Sequence, residues 1–352
     1  MQTKVIQINK ENPSFENVDT EEIIKAIQKG DLVGCPTETV YGLCANALDD
    51  EAVKKIYVAK GRPSDNPLIL HICDYDMLVS LVTNIPENAK KLVDSLWPGP
   101  LTIILNKKDF IPYSTTGGLD TVAIRMPNNN IMLNLIKTCG LPLAAPSANL
   151  SGKPSPTSAN HVYEDLQGII PYIIDGGDCD YGVESTIVDF TVTPPMVLRP
   201  GSITIPMLEK IIGEVDIDKS LIDFAFNTST PKAPGMKYKH YSPLCKVTIV
   251  QGIPSNVTSK IINLAQSSNK TVGILCTNEK ERFYDSLSNV KVFTLGSSTD
   301  LKTITKSLFK TLRLLDEYKI EIAYCEGFSY DDEGLAIMNR LIKASGHNII
   351  EV

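Results

Sequence analysis

The chain has 352 residues, 43% of them hydrophobic and 21% charged, with a formal net charge of -7. That length exceeds one ordinary core and predicts two domains, and the acidic balance excludes a broad nucleic-acid surface, so any anion site must be local. The opening MQTKVIQINKENPSFENVD holds no apolar targeting core, and no run approaches the roughly 20 apolar residues of a membrane span; a cytoplasmic protein is expected. Eight cysteines and 4 histidines scatter without a C-x-x-C pair, which predicts buried, reduced thiols and no structural zinc.

Glu21 to Gln28 places Ile23, Ile24 and Ile27 on one helical face, with Thr20 as the expected N-cap and Gly30 past the end. Leu32 to Cys35 is a buried strand that delivers a loop, PTETVYGLCANA, in which Thr37 and Thr39 flank Glu38. Asp49 or Asp50 caps a helix ending in KGRPSDNP. Lys60 and Arg62 sit where a helix C-terminus favours cations in any case. Pro63 and Pro67 stiffen the segment around Asn66, however, and a rigid loop with two cations and an amide suits phosphates.

Leu68 to Ile72 is the next strand, with His71 as its one polar side chain. Leu101 to Leu105 and Thr121 to Met126 are strand-like, and a helix is expected from Ile131 to Thr138. Arg125 interrupts the apolar TVAIRMP, and a charge on a buried strand is costly unless paired, so it should meet a carboxylate from the protein or a substrate. The apolar run Leu141 to Ala145 breaks into Pro146, Ser147, Asn149, Ser151, Gly152 and Ser155. Small hydroxyls and amides at a strand end present donors to a ligand while the sheet holds them still. Gly182 to Thr186, with Ser185, forms a second such loop, and Arg199 ends the strand before Pro200 and Gly201.

Strands at 172–174, 186–189 and 196–198 and a helix at 205–212 complete an α/β domain whose sheet is not purely parallel. Periodicity then weakens, and APGMKYKHYSP, Ala233 to Pro243, is a linker dense in Lys and Tyr, poised as a lid. Strands at 247–250, 272–275, 292–295, 322–325 and 349–352 alternate with helices at 257–266, 301–318 and 335–344, giving a small doubly wound, Rossmann-like unit. The expected boundaries are 1–213, a linker 214–243, and 244–352. The sequence has no G-x-S-x-G, Walker P-loop or H-E-x-x-H, and its Lys, Arg, hydroxyls and amides suit nucleotidyl transfer by alignment and charge neutralisation.

PTETVYGL, KGRPSDNPLILHI, WPGPLT, TVAIRMP, PLAAPSANLSGKPSPT, GVESTIVD, LRPGSIT and PGMKYKHYSP, in this order, resemble the threonylcarbamoyl-adenylate synthases, the YrdC-like family in its two-domain form. The resemblance implies a nucleotidyltransferase that joins L-threonine, bicarbonate or CO2, and ATP with Mg²⁺, and releases pyrophosphate. Its product would feed a tRNA threonylcarbamoyl transferase complex, with tRNA met only indirectly. The family's K-x-R and S-x-N signatures fall on Lys60, Arg62, Ser147 and Asn149, with Lys60 and Arg62 meeting the phosphates as the catalytic cations. Its nucleotide contacts fall on Arg62, Asn66, Thr121, Ser147, Asn149, Ser155, Arg199 and Tyr238, and its threonine contacts on Thr39, His71, Arg125, Ala145 and Ser185. No protein side chain is assigned to a metal. Asn128 to Asn130 and Cys44 depart from the family pattern without replacing a contact residue. Two rivals are a hydrogenase-maturation-type carbamoyl transferase and a non-catalytic RNA-binding or ribosome-assembly protein.

Overall fold

The computed structural model describes residues 1–15, 17–221, 233 and 240–352. The chain divides into two compact units, one of Met1–Ser151, Ser155–Asp180 and Glu184–Lys237, the other of Gly152–Pro154, Tyr181–Val183 and Tyr238–Val352.

In the first unit the order is β1 (Lys4–Gln7), α1 (Val18–Gln28), β2 (Val33–Cys35), β3 (Gly42–Asn46), α2 (Asp50–Lys60), β4 (Ile69–His71), α3 (Tyr75–Leu81) and α4 (Glu87–Leu96). There follow β5 (Leu101–Asn106), α5 (Tyr113–Thr116), β6 (Thr121–Arg125), α6 (Asn130–Cys139), β7 (Leu143–Ala144), α7 (Ala159–Leu166), β8 (Tyr172–Asp175), β9 (Thr186–Asp189), β10 (Met196–Arg199), α8 (Ile205–Ile212) and β11 (Asp216–Ile217). The strands form one mixed sheet in the order β1-β8-β2-β3-β7-β4-β6-β5-β9-β10-β11. β4 and β6 run parallel with His71 opposite Arg125, β5 is antiparallel to β6 and parallel to β9, and β10 returns antiparallel to β9.

Strand alternation decides what each face holds. Leu70, Ile124, Ile103, Leu105, Val188 and Val197 join the large core with helical residues such as Val53, Ile56, Leu78, Leu92 and Leu208. The opposite face carries a smaller cluster of Ile69, Ala123, Ile104, Ile187 and Leu198, in which Ala233 is also fully buried. By the same period of two, His71, Arg125 and Thr102 stand on the face of this smaller cluster.

Several local expectations change. Helix α1 starts earlier, because Asn17 is the N-cap and Thr20, at the third helical position, reciprocates with a bond to the Asn17 backbone. The loop read after Cys35 contains strand β3. Thr37 Oγ1 accepts from Val40 N at 3.2 Å and donates to Val40 O at 2.6 Å, and this turn sends Gly42 back beside Cys35. The expected strand at 141–145 is regular only over Leu143–Ala144, since Pro142 and Pro146 on either side cannot donate to a ladder. Cys73 and Cys245 are half-buried rather than buried.

The second unit is a five-stranded parallel sheet, β12 (Lys246–Gln251), β13 (Val272–Cys276), β14 (Val290–Thr294), β15 (Ile322–Glu326) and β16 (Ile349–Glu351), in the order β14-β13-β15-β12-β16. Helices α9 (Pro254–Gln266), α10 (Leu301–Glu317) and α11 (Asp332–Ser345) alternate with it. Helix α10 buries Ile304, Leu308, Leu312 and Leu315, the spacing of a single helical face. Among the described residues no helix is long and apolar enough to cross a membrane.

Candidate active site

The first unit gathers its polar residues where three loops are zipped together. Leu43 N donates to Pro146 O at 2.7 Å, Ala148 N to Tyr41 O at 2.8 Å, and Tyr41 N to Pro156 O at 2.9 Å. The loop after β2, the loop after β7 and the segment at 155–157 are therefore fixed by backbone bonds, so their side chains are held without a core of their own. Ala145 is anchored the same way, its N–H donating to Ile69 O at 3.0 Å.

Arg125, 3% exposed, is held on every side. Its Nη2 lies 2.6 Å from Glu38 Oε1, its Nη1 donates to Thr39 Oγ1 at 2.8 Å, and its Nε donates to Gly99 O at 3.2 Å. Thr39 Oγ1 in turn shares a 2.8 Å hydrogen bond with Thr37 Oγ1, and Glu38 Oε1 also accepts from Asn128 N at 2.9 Å. The carboxylate required by a buried arginine is thus supplied within the protein. Beside Arg125, His71 is buried, with its Nδ1 making no hydrogen bond. Desolvation first, and the Arg125 charge second, push the imidazole down to about 3, so it is neutral at physiological pH.

Lys60, the last residue of α2, is 3% exposed, and its ammonium donates to the carbonyl oxygens of Ser147 and, at 2.6 Å, Asn149. Arg62 is half-buried and its Nη2 donates to Asn66 O at 3.3 Å and Pro67 O at 3.1 Å. Tyr57 Oη also donates to Asn66 O, so the proline-stiffened loop is bound from two sides. Asn66 is itself buried, and its Oδ1 has no hydrogen-bond partner. Thr121 opens β6 opposite Asn106, at the far end of the strand that Arg125 closes.

A third group lies at the start of β9. Arg199 donates from Nε to Ser185 O and from Nη2 to Ser185 Oγ, both at 3.0 Å, and Ser185 Oγ shares a 2.8 Å bond with Thr102 Oγ1. Ser155, fully buried, donates to Glu184 Oε1 at 2.6 Å. The W-P-G-P segment links this group to Arg125, because Gly99 O takes the Arg125 Nε–H while Pro100 O takes the Thr186 N–H at 3.0 Å.

A family model described as "Telomere recombination" matches residues 25–201, and one described as "Threonylcarbamoyl-AMP synthase, C-terminal domain" matches residues 203–346. The chain belongs to the threonylcarbamoyl-AMP synthase family. A threonylcarbamoyl-AMP synthase of Pyrococcus abyssi is 49% identical over 93% of this chain and 94% of its own length, and one of Bacillus subtilis is 48% identical over 92% of each. The crystal structure of P. abyssi Sua5 complexed with L-threonine superposes with a TM-score of 0.92 at 46% identity, covering 99% of this chain and 100% of that one.

Within this threonylcarbamoyl-AMP synthase fold, the residues expected at the site are distributed unevenly. Thr39, His71 and Arg125 fall together, as do Ser185 and Arg199, and Lys60 with the backbone of Ser147 and Asn149. Tyr238 lies outside the described residues, as do Lys237 and Lys239 of the expected lid. Sequence reasoning assigned no role to Glu38, Thr37, Thr102 or Gly99. The signal for Glu38 was available, since a buried arginine needs a carboxylate and Glu38 is the acid enclosed between two strand-end threonines.

Proposed function

We propose that this chain makes threonylcarbamoyl-AMP and pyrophosphate from L-threonine, bicarbonate or CO2, and ATP. The observation that carries the reading is kinship over most of the chain, with family models matching residues 25–201 and 203–346 and relatives at 48–49% identity named for this activity. The amine of threonine takes up CO2 to give a carbamate, and a carbamate oxygen then attacks the α-phosphorus of ATP as the bond to pyrophosphate breaks. Free carbamates revert readily, so the enzyme's part is alignment, charge neutralisation and exclusion of water.

In this reading Arg125, Thr39, His71, Ala145 and Ser185 hold threonine. Arg62, Asn66, Thr121, Ser147, Asn149, Ser155, Arg199 and Tyr238 hold ATP, while Lys60 and Arg62 offset phosphate charge. The buried guanidinium of Arg125, beside a neutral imidazole, supports the threonine half of the assignment. Magnesium enters with the phosphates as part of the nucleotide substrate. Residues 1–213 form the catalytic domain, 214–243 the linker and lid, and 244–352 the second domain of the enzyme, which works in the cytoplasm. A separate tRNA threonylcarbamoyl transferase complex consumes the product, and the net charge of -7 agrees with only indirect contact with tRNA.

A pyrophosphate-release assay with threonine, bicarbonate and ATP omitted singly tests the activity. Release that needs all three is the expected result, and equal release without threonine overturns the reading.

A further inference from the structure

We infer that Glu38 is a positioning residue, the group that aims the Arg125 guanidinium at the amino-acid carboxylate. This rests on the threonine assignment above. Both members of the pair are buried, with side chains 4% and 1% exposed for Arg125 and Glu38. Neither charge has water to fall back on, so each depends on the other. Glu38 is placed for this by bonds at both ends of the residue. Its backbone carbonyl accepts from Asp180 N at 2.9 Å, tying it to the loop after β8, while Oε1 accepts from Asn128 N at 2.9 Å just beyond β6.

The geometry of the fork gives the carboxylate its job. Thr39 takes an Nη1 hydrogen and Gly99 O takes the Nε hydrogen, so two corners of the guanidinium plane are set by neutral acceptors. Nη2 is the corner facing Glu38, at 2.6 Å, and the contact lacks hydrogen-bond direction. It is therefore a charge contact that fixes where the plane lies without consuming the Nη2 hydrogens in a directed bond. A guanidinium so fixed keeps Nη2 donors for a second carboxylate. Loss of the Glu38 charge lets the plane rotate toward Thr39 and Gly99, which lowers affinity for the amino acid and leaves the nucleotide contacts alone.

The test is steady-state kinetics on the full chain with Glu38→Gln and Asn128→Pro, the second removing the N–H that holds Glu38 while leaving the Glu38 carboxylate in place. Glu38→Gln is expected to raise KM for threonine on the order of ten- to a hundredfold, as for one misaligned charge-assisted bond, with KM for ATP within about twofold. Asn128→Pro is expected to raise the threonine value several-fold in the same selective way, and it decides the matter if Glu38→Gln does not fold. A proportionate rise for both substrates, or no rise for either, overturns the positioning role. Wild-type enzyme run in parallel separates the two proposals: without threonine-dependent pyrophosphate release it is the functional reading that fails, whereas release with unsplit KM values defeats only the role of Glu38.

Discussion

The Lys60 ammonium donates to the Asn149 carbonyl oxygen at 2.6 Å and also to that of Ser147, so the K-x-R and S-x-N signatures are parts of one structural unit. Ser151 N returns a 2.8 Å bond to Lys60 O, closing the unit from the backbone side. The lysine expected from sequence to meet the phosphates also binds the backbone of the loop that carries Ser147.

Lys60→Met keeps the apolar stem and removes the charge. It should cost about 1.5–3 kcal/mol of stability, the worth of charge-assisted bonds to buried carbonyls, and should raise KM for ATP. Urea unfolding and an ATP titration measure both. A variant of wild-type stability with only kcat reduced would leave Lys60 its phosphate role and remove its part in holding the loop.

Arg62 differs, being half-buried, with Nη2 donating to carbonyls of its own loop at 3.1 and 3.3 Å. If it meets charge that grows as pyrophosphate leaves, Arg62→Ala should lower kcat by about 2–4 kcal/mol of transition-state stabilisation, roughly 30- to 1,000-fold. KM for ATP should move much less. Full turnover in this variant contradicts the assignment.

His71 gives a pH prediction with a definite sign. Its folded value, about 3, lies below the ordinary 6.5, so the unfolded chain binds the proton first as pH falls. The stability associated with neutral His71 is complete above about 6.5 and is lost as pH falls from there toward about 3. Wild type should lose stability across this window relative to His71→Asn, by at most about 1.4 kcal/mol per pH unit for one proton. Parallel urea melts at stepped pH measure the difference, and superimposable slopes for the two proteins would falsify a buried neutral imidazole.

Much of this architecture was legible because it rests on periodicity. The helices at 205–212 and 301–317 and the parallel strands after residue 244 bury one face or run continuously apolar, and that pattern is local. What was hidden depends on distant pairing. Strand β3 exists because Thr37 turns the chain, and β1 (KVIQ), exposed over most of its length, is a strand only because β8 pairs with it. At the site, residue types were readable and partners were not. Arg125 announced a need for a carboxylate and Glu38, enclosed by two threonines, was a candidate, but with 86 residues between Arg125 and Thr39 only the fold shows that the two segments meet.

The last prediction concerns Gly201, in the L-R-P-G-S-I-T motif just after Arg199. A Cβ added there would lie 2.5 Å from Thr186 N, 2.7 Å from Glu184 O and 2.8 Å from the Ser185 carbonyl carbon. All three are backbone atoms, so no rotamer change relieves the clash, and the segment 184–186 must move. That segment carries Glu184, the acceptor for Ser155, and Ser185, which accepts from Nε and Nη2 of Arg199. Gly201→Ala should cost about 1–3 kcal/mol in stability as an overpacked site and should raise KM for ATP and threonine together, since residues assigned to both substrates shift. Gly140→Ala is the control. Gly140 caps α6 at φ 66° with no atom within 4 Å of the added Cβ, so alanine there meets only backbone strain, about 1–2 kcal/mol. Equal loss of thermal stability in the two variants, with both KM values changed only in Gly201→Ala, is the expected pattern. Wild-type KM values in Gly201→Ala would mean that the 184–186 loop is not what sets the site.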